Sequence, residues 1–219
     1  DITVGEGVRI EHSGPAAVAL TLSAHRDISI NDGAAILATG AGPLAVDLNA
    51  DRASDVADPG IGRIAISGAV VATNGGTLRM YGQTDPANGF ARGWDNDGDT
   101  LPGVSIVGTQ IRVGSGNVRI RGASNWDDGV RIDRSTIGAA LGSVHVEGKG
   151  SGNQIVSHGV NVVDAVISGA GGVVIRGDSA FDDDGVKLER SAVASANGRV
   201  SIVGTSSQAY GVYILDNTT

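Results

Sequence analysis

The segment 129–137, with the sequence GVRIDRSTI, decides the fold because the chain repeats it. The five copies are GVSIVGTQI from Gly103, GVRIDRSTI from Gly129, GVNVVDAVI from Gly159, GVKLERSAV from Gly185 and GVYILDNTT from Gly211. Their leading glycines are separated by 26, 30, 26 and 26 residues. Self-similarity at a fixed period of this size is typical of a protein built from stacked repeats.

Apolar and polar residues alternate within each copy. Val130 and Ile132 fall on one face of an extended strand, and Arg131 and Asp133 fall on the other. A second alternating phrase lies between the copies, as GTLRMYG from Gly76, GNVRIRG from Gly116, GSVHVEG from Gly142, GGVVIRG from Gly171 and GRVSIVG from Gly198. The repeat unit therefore consists of β-strands, and it contains no helical pattern long enough for a crossover helix.

A chain that coils through such strands, one turn per repeat, stacks each strand parallel to its counterpart in the next turn. The first inward column would be Val104, Val130, Val160, Val186 and Val212, and the second would be Ile106, Ile132, Val162, Leu188 and Ile214. The outward column between them is Ser105, Arg131, Asn161, Lys187 and Tyr213, which share no chemistry. We therefore predict an all-β, right-handed parallel β-helix of roughly seven or eight turns of about 26 residues, roughly 35 to 40 Å long.

The chain reads as a single β-helix segment over residues 1–219, since no linker or low-complexity tract interrupts the strand pattern. Two long irregular stretches, 49–60 and 83–103, are expected to project as loops from single turns. No terminal segment resembles a helix that could cover the open end of such a coil. We therefore expect the segment to come from a longer protein.

Composition excludes several classes of function. The net charge of −8 at pH 7 makes nucleic acid an unsuitable partner. No stretch approaches the ~20 apolar residues that a transmembrane helix needs, so the chain is not expected to be transmembrane. Cysteine is absent, which suits a long chain that must cross an oxidising periplasm.

The segment 43–82 resembles a recurring turn of filamentous-haemagglutinin-like exoproteins, which Gram-negative bacteria export by two-partner secretion. It reads PLAVDLNADR and, after a loop, GIGRIAISGAVVATNGGTLRMYG, and ALTLSAHRDISINDGAAILATG from Ala19 is similar to the preceding turn. The resemblance implies a β-helical shaft, secreted or held at the cell surface after export through an outer-membrane transporter. It also implies adhesion, aggregation or contact-dependent interaction, with a receptor or glycan on a host or bacterial surface as partner. No Asn-Pro motif of the family's secretion domain occurs, so the segment would belong to the shaft.

Two short motifs are candidate binding sites. Arg176, Gly177 and Asp178 form the Arg-Gly-Asp tripeptide that integrins recognise, although Gly177 is also a strand-ending glycine of the repeat. Asp95, Asp97 and Asp99 alternate around a glycine, and such an oxygen-rich loop suits Ca²⁺ as a cofactor. The alternative for the second motif is a solvated acidic turn whose side chains cap their own backbone. A Ca²⁺-binding surface-layer module or a carbohydrate-binding module is therefore one alternative function.

A second alternative is a polysaccharide-active enzyme, either a hydrolase that resembles polygalacturonase or a lyase. Polygalacturonase-type enzymes are also β-helices, and they place Asp-Asp and Gly-His-Gly on successive turns. Asp127, Asp128 and His158 occupy such places here, with Lys187 further along the chain. Paired carboxylates would suit an inverting mechanism, in which one is the acid and the other activates water. The other motifs of that family are missing, and a non-enzymatic shaft remains the main prediction.

Overall fold

The computed structural model describes residues 1–51, 61–83, 85–93, 100–152 and 157–215. In these residues all regular secondary structure is β, and the strands form three parallel sheets. Sheet 1 contains, in stacking order, β1 (Ile2–Val4), β4 (Ile28–Ile30), β7 (Ile64–Ser67), β11 (Val104–Val107), β14 (Val130–Asp133), β17 (Val160–Val163), β20 (Val186–Glu189) and β23 (Val212–Leu215). Sheet 2 contains β2 (Arg9–His12), β5 (Ala35–Ala38), β8 (Val70–Ala72), β12 (Gln110–Arg112), β15 (Thr136–Ala139), β18 (Val166–Gly169) and β21 (Ala192–Ala194).

Sheet 3 completes each turn. It contains β3 (Val18–Ser23), β6 (Leu44–Ala50), β9 (Leu78–Gly82), β13 (Val118–Ser124), β16 (Ser143–Gly150), β19 (Gly172–Ser179) and β22 (Val200–Ser206), with the short β10 (Ala91–Gly93) beside β13. The chain visits sheets 1, 2 and 3 in that order seven times and then enters sheet 1 once more. The predicted all-β parallel β-helix is confirmed.

The register between turns is the one that the repeat predicts. Val130 pairs with Val104 below it and Val160 above it, and Ile132 pairs with Ile106 and Val162. Both inward columns are at most 1% exposed from β11 to β20. Parallel stacking places like side chains on like in one continuous interior, so each turn shares its core with its neighbours.

Three of the turns are longer than the basic repeat. In sheet 1 the partners Ile28 and Ile64 are 36 residues apart, Ile64 and Val104 are 40 apart, and Val130 and Val160 are 30 apart. In each case the extra residues lie between sheet 3 and the next strand of sheet 1. We call this edge of the coil the insertion corner.

The two predicted loops need correction. Asn49 and Ala50 belong to β6 and are buried, so the irregular segment begins only at Asp51, and residues 52–60 lie outside the described part. The segment 83–103 is not one loop, because Ala91–Gly93 forms β10 and pairs with β13. A three-residue strand is too short to show the alternation by which longer strands are predicted.

A row of buried hydroxyl groups closes the corner between sheets 1 and 2. Ser135 is 3% exposed, and its Oγ accepts a hydrogen bond from Thr109 N (3.0 Å) and donates one to Asp133 O (2.8 Å). Thr109 itself donates to Val107 O (2.9 Å). One side chain therefore satisfies backbone groups of two successive turns.

We expect Ser135→Ala to lower the free energy of unfolding by about 1–3 kcal/mol, because Thr109 N would lose its acceptor in a buried place. Urea titration followed by circular dichroism measures this change. The control is Ser67→Ala, which removes an exposed hydroxyl and should change stability by less than about 0.5 kcal/mol. Equal effects of the two substitutions would contradict this role for Ser135.

Candidate functional site

Three side chains at the insertion corner form a column that runs through successive turns. Asp128, His158 and Asp184 each precede the leading glycine of a repeat, and they are 2%, 5% and 6% exposed. Asp128 Oδ1 accepts a hydrogen bond from His158 N (3.0 Å), His158 Nδ1 accepts one from Asp184 N (3.1 Å), and Asp184 Oδ1 accepts one from Tyr210 N (3.2 Å). Each side chain thus caps the backbone of the turn above it. We call these three residues the corner ladder.

Burial shifts the pKa of two residues of the corner ladder, Asp128 and His158. It raises the pKa of Asp128 to about 7, although the hydrogen bond that Asn161 Nδ2 donates to Asp128 Oδ2 (2.9 Å) favours the ionised form. It lowers the pKa of His158, against the opposing charges of Asp183 and Asp184. The bond from Asp184 N makes Nδ1 the acceptor, so the neutral ring carries its proton on Nε2.

The four residues of the enzyme hypothesis occupy different environments. Asp128 and His158 are rungs of the corner ladder, and both carboxylate oxygens of Asp128 already accept hydrogen bonds. Lys187 Nζ lies 3.1 Å from Glu189 Oε2. Asp127 is half-buried beside an open groove. A general acid or base must reach the substrate, so this geometry favours a structural role for Asp128 and His158.

The groove beside Asp127 lies on the outer face of sheet 1 and has a volume of about 360 Å³. Its polar and apolar walls include Arg63, Pro102, Ser105, Asp127, Arg131 and Asp133. Ser105 and Arg131 are register partners on its floor, as the predicted outward column requires. Arg63 and Asp127 come from the insertion corner, which the repeat alone does not position. We call this cavity the sheet 1 groove.

The Arg176, Gly177 and Asp178 tripeptide lies within β19 and not at a corner. Gly177 is buried, and Arg176 and Asp178 are exposed on the outer face of sheet 3. Asp178 Oδ1 accepts a hydrogen bond from the hydroxyl of Thr205 in the next turn (2.6 Å). The tripeptide therefore lies flat on a hydrogen-bonded sheet and not at the tip of a loop.

The proposed Ca²⁺ ligands Asp95, Asp97 and Asp99 lie outside the described residues. Within the part that the structure describes, no group of three or more His, Cys, Asp or Glu residues is placed to hold a metal ion. The Ca²⁺ hypothesis therefore stays a prediction.

The outer face of sheet 3 carries a packed segment that the sequence pattern did not reveal. The carbonyl oxygen of Ala87 accepts hydrogen bonds from Arg119 (2.7 Å) and Arg121. The ring of Phe90 lies between Arg121 and Lys149, whose cationic groups are 4.2 and 4.7 Å from its centroid. Residues 85–90 are thus folded back onto the sheet through cation–π contacts. These partners are more than twenty residues apart in the sequence, so local periodicity carries no signal for them.

The sequence matches no known protein-family model, and no curated protein or solved structure was found to be similar to it. None of the described residues belongs to a helix of the length and apolarity required to cross a membrane. Function is therefore inferred from the geometry of the described residues.

Proposed function

We propose that this chain is part of the stiff shaft of a secreted or cell-surface bacterial adhesin of the filamentous-haemagglutinin-like type. Such a shaft holds binding surfaces at a distance from the cell and acts without catalysis. The outer-membrane transporter of a two-partner system would export it, and a surface receptor or glycan would be its partner.

The observation that carries this proposal is the contrast between the interior and the outer faces. One apolar cluster extends from Val4 to Leu188, and its inward columns keep the same residue types from turn to turn. The outward column changes from Ser105 to Arg131 to Asn161, so the faces vary while the core does not. A solenoid of this kind resists bending because every turn is hydrogen-bonded to the next along three sheets. Variation confined to the outside is what a scaffold for surface contacts requires.

The test is an in-frame deletion of whole turns in the parent gene. Removal of residues 186–211 takes out one 26-residue repeat that contributes no residue to the sheet 1 groove, and it brings Val212 into the place of its register partner Val186. We expect this variant to be exported and displayed, and to adhere. Deletion of the entire segment 1–219 should abolish adherence or aggregation. Unchanged adherence after the full deletion would contradict the adhesive function, and loss of display after the one-turn deletion would contradict the shaft.

Polysaccharide cleavage is a second candidate because Asp127 combines access to the sheet 1 groove with a pKa that burial raises. The adhesive proposal predicts that the purified chain releases no reducing sugar from polygalacturonate or related polyuronides. Release that disappears in Asp127→Asn, and persists in the exposed control Asp182→Asn, would replace the adhesive function by the enzymatic one.

A further inference from the structure

We propose that the sheet 1 groove is a binding site for an acidic sugar, that is, a pyranose that carries a carboxylate within an oligosaccharide. The inference rests on the proposed adhesive function for the choice of ligand class. The site itself follows from four side chains with unused hydrogen-bonding capacity that line one groove: Arg63, Ser105, Asp127 and Arg131.

The two arginines supply the binding groups for the carboxylate. The guanidinium groups of Arg63 and Arg131 make neither an ion pair nor a hydrogen bond with any described residue. Their neighbour Arg134 differs, because it pairs with Asp133 at 3.0 Å. A planar guanidinium matches a carboxylate with two parallel hydrogen bonds. Arg131 interacts with the charge of Asp127 across the groove, but neither guanidinium makes a direct contact with a described carboxylate, so both can bind an incoming anion.

Asp127 and Ser105 supply the binding groups for sugar hydroxyls. One oxygen of Asp127 accepts the hydrogen bond from Asp128 N (2.6 Å), and the second oxygen makes no hydrogen bond with a described residue. The hydroxyl of Ser105 stands on the floor of the groove beside Arg131. A carboxylate and a hydroxyl next to guanidinium groups can accept from and donate to a row of ring hydroxyls.

The mixture of charges selects the ligand class. Asp127 and Asp133 line the same groove as the arginines, so a doubly charged phosphate would meet two carboxylates there. A singly charged carboxylate on a ring rich in hydroxyls can engage the arginines and still satisfy Asp127. A volume of about 360 Å³ lies within the range of small-ligand sites. These features together favour a uronic or sialic type of sugar over phosphates and over neutral glycans.

Isothermal titration calorimetry with the purified chain 1–219 tests the inference. The ligands are trigalacturonate, a sialylated trisaccharide and, as the neutral control, maltotriose. We expect one of the two acidic oligosaccharides to bind at least about tenfold more tightly than maltotriose, and the preferred one identifies the source of the carboxylate. Arg131→Gln and Arg63→Gln should each weaken that binding about tenfold or more. The control Arg112→Gln, an exposed arginine of sheet 2, should leave it unchanged.

Three outcomes would overturn the inference: no binding of either acidic oligosaccharide, equal binding of maltotriose, or equal affinity in Arg131→Gln and the unsubstituted chain. Circular dichroism of each variant establishes that it is folded. The adherence test by gene deletion is independent of this titration. If the segment is needed for adherence but binds no acidic sugar, the adhesive function stands and this binding site is rejected. If it binds an acidic sugar but is not needed for adherence, the binding site stands and the adhesive function is rejected.

Discussion

Gly148→Ala is expected to lower the free energy of unfolding by about 3 kcal/mol or more, because the new methyl group has no space between two sheets. Gly148 lies in β16 and pairs with Gly122 below it and Gly177 above it. A Cβ atom at this position would overlap the carbonyl oxygen of Gly159 and lie 2.7 Å from its carbonyl carbon. Both atoms are backbone, so neither can rotate away, and the two sheets would have to separate.

A matched control for this substitution lies in the preceding strand, β15. Gly138 is also a strand residue, but a Cβ there would be 3.6 Å from Ser168 Oγ and 3.8 Å from Ile111 O, which are ordinary contacts. We expect Gly138→Ala to change stability by less than about 0.5 kcal/mol or to stabilise slightly, because alanine restricts the unfolded chain. Urea unfolding of the two variants measures the difference. Similar midpoints for both would show that the sheets do not approach as closely as described.

Stability is expected to fall as the pH rises through the titration of Asp128, with a total change of about 4 kcal/mol. The pKa of this carboxyl is about 7 in the folded chain and close to the ordinary aspartate value of 3.8 in the unfolded chain. Between those values the folded state holds a proton that the unfolded state has released. Each step upward in pH therefore favours unfolding, until the folded carboxyl has also ionised.

His158 contributes with the opposite sign, so the comparison needs a variant. Burial lowers the pKa of His158, and its contribution is lost as the pH falls below the unfolded value of 6.5. In Asp128→Asn the aspartate contribution disappears and that of His158 remains. We expect the stability of this variant relative to the unsubstituted chain to improve by about 4 kcal/mol between pH 4 and pH 8.

Chemical denaturation at closely spaced pH values measures both curves. The control is Asp182→Asn, which removes an exposed carboxylate of the same corner. Parallel curves for Asp128→Asn and the unsubstituted chain would mean that Asp128 is not buried as described. Asp128 would also not be the responsible group if Asp182→Asn, and not Asp128→Asn, removed the pH dependence of the unfolding free energy.

The inner part of the fold is predictable because packing acts there on residues one repeat apart. Val130 and Val160 fill equivalent positions in the core of successive turns, so the same residue type recurs in the sequence. The recurrence predicts which residues pair between turns. The reason for the glycines was harder to predict. A glycine in a repeat suggests a corner residue with positive φ. Gly148 instead lies in a strand, and a glycine is required there because the backbone of Gly159 approaches it closely. Conversely, Arg134 and Asp164 adopt positive φ (46° and 50°) although neither is a glycine.

The candidate site was only partly predictable for a physical reason. A capping aspartate and a catalytic aspartate are the same residue type in the same place, and the difference lies in a hydrogen bond to a backbone 30 residues away. Asp128 and His158 therefore resembled a catalytic pair in the sequence, although each caps the next turn. Arg63 and Asp127 line one groove because both flank the insertion corner, and nothing in the local pattern near Arg63 marks that.

The most direct test of the central claim, a single continuous stack of turns, is a set of distances between spin labels on the outer face of sheet 1. The chain has no cysteine, so labels attach only where cysteine is introduced. Ala65 lies on that face, and its column contains Lys187 at four turns and Tyr213 at five turns, while Ser29 lies one turn before Ala65 and six turns before Tyr213. Pulsed electron paramagnetic resonance on three cysteine pairs, Ala65→Cys with Lys187→Cys, Ala65→Cys with Tyr213→Cys and Ser29→Cys with Tyr213→Cys, should give about 19, 24 and 29 Å between backbone positions, a constant step of about 4.8 Å per turn. Distances that do not increase by a constant step would contradict the stack.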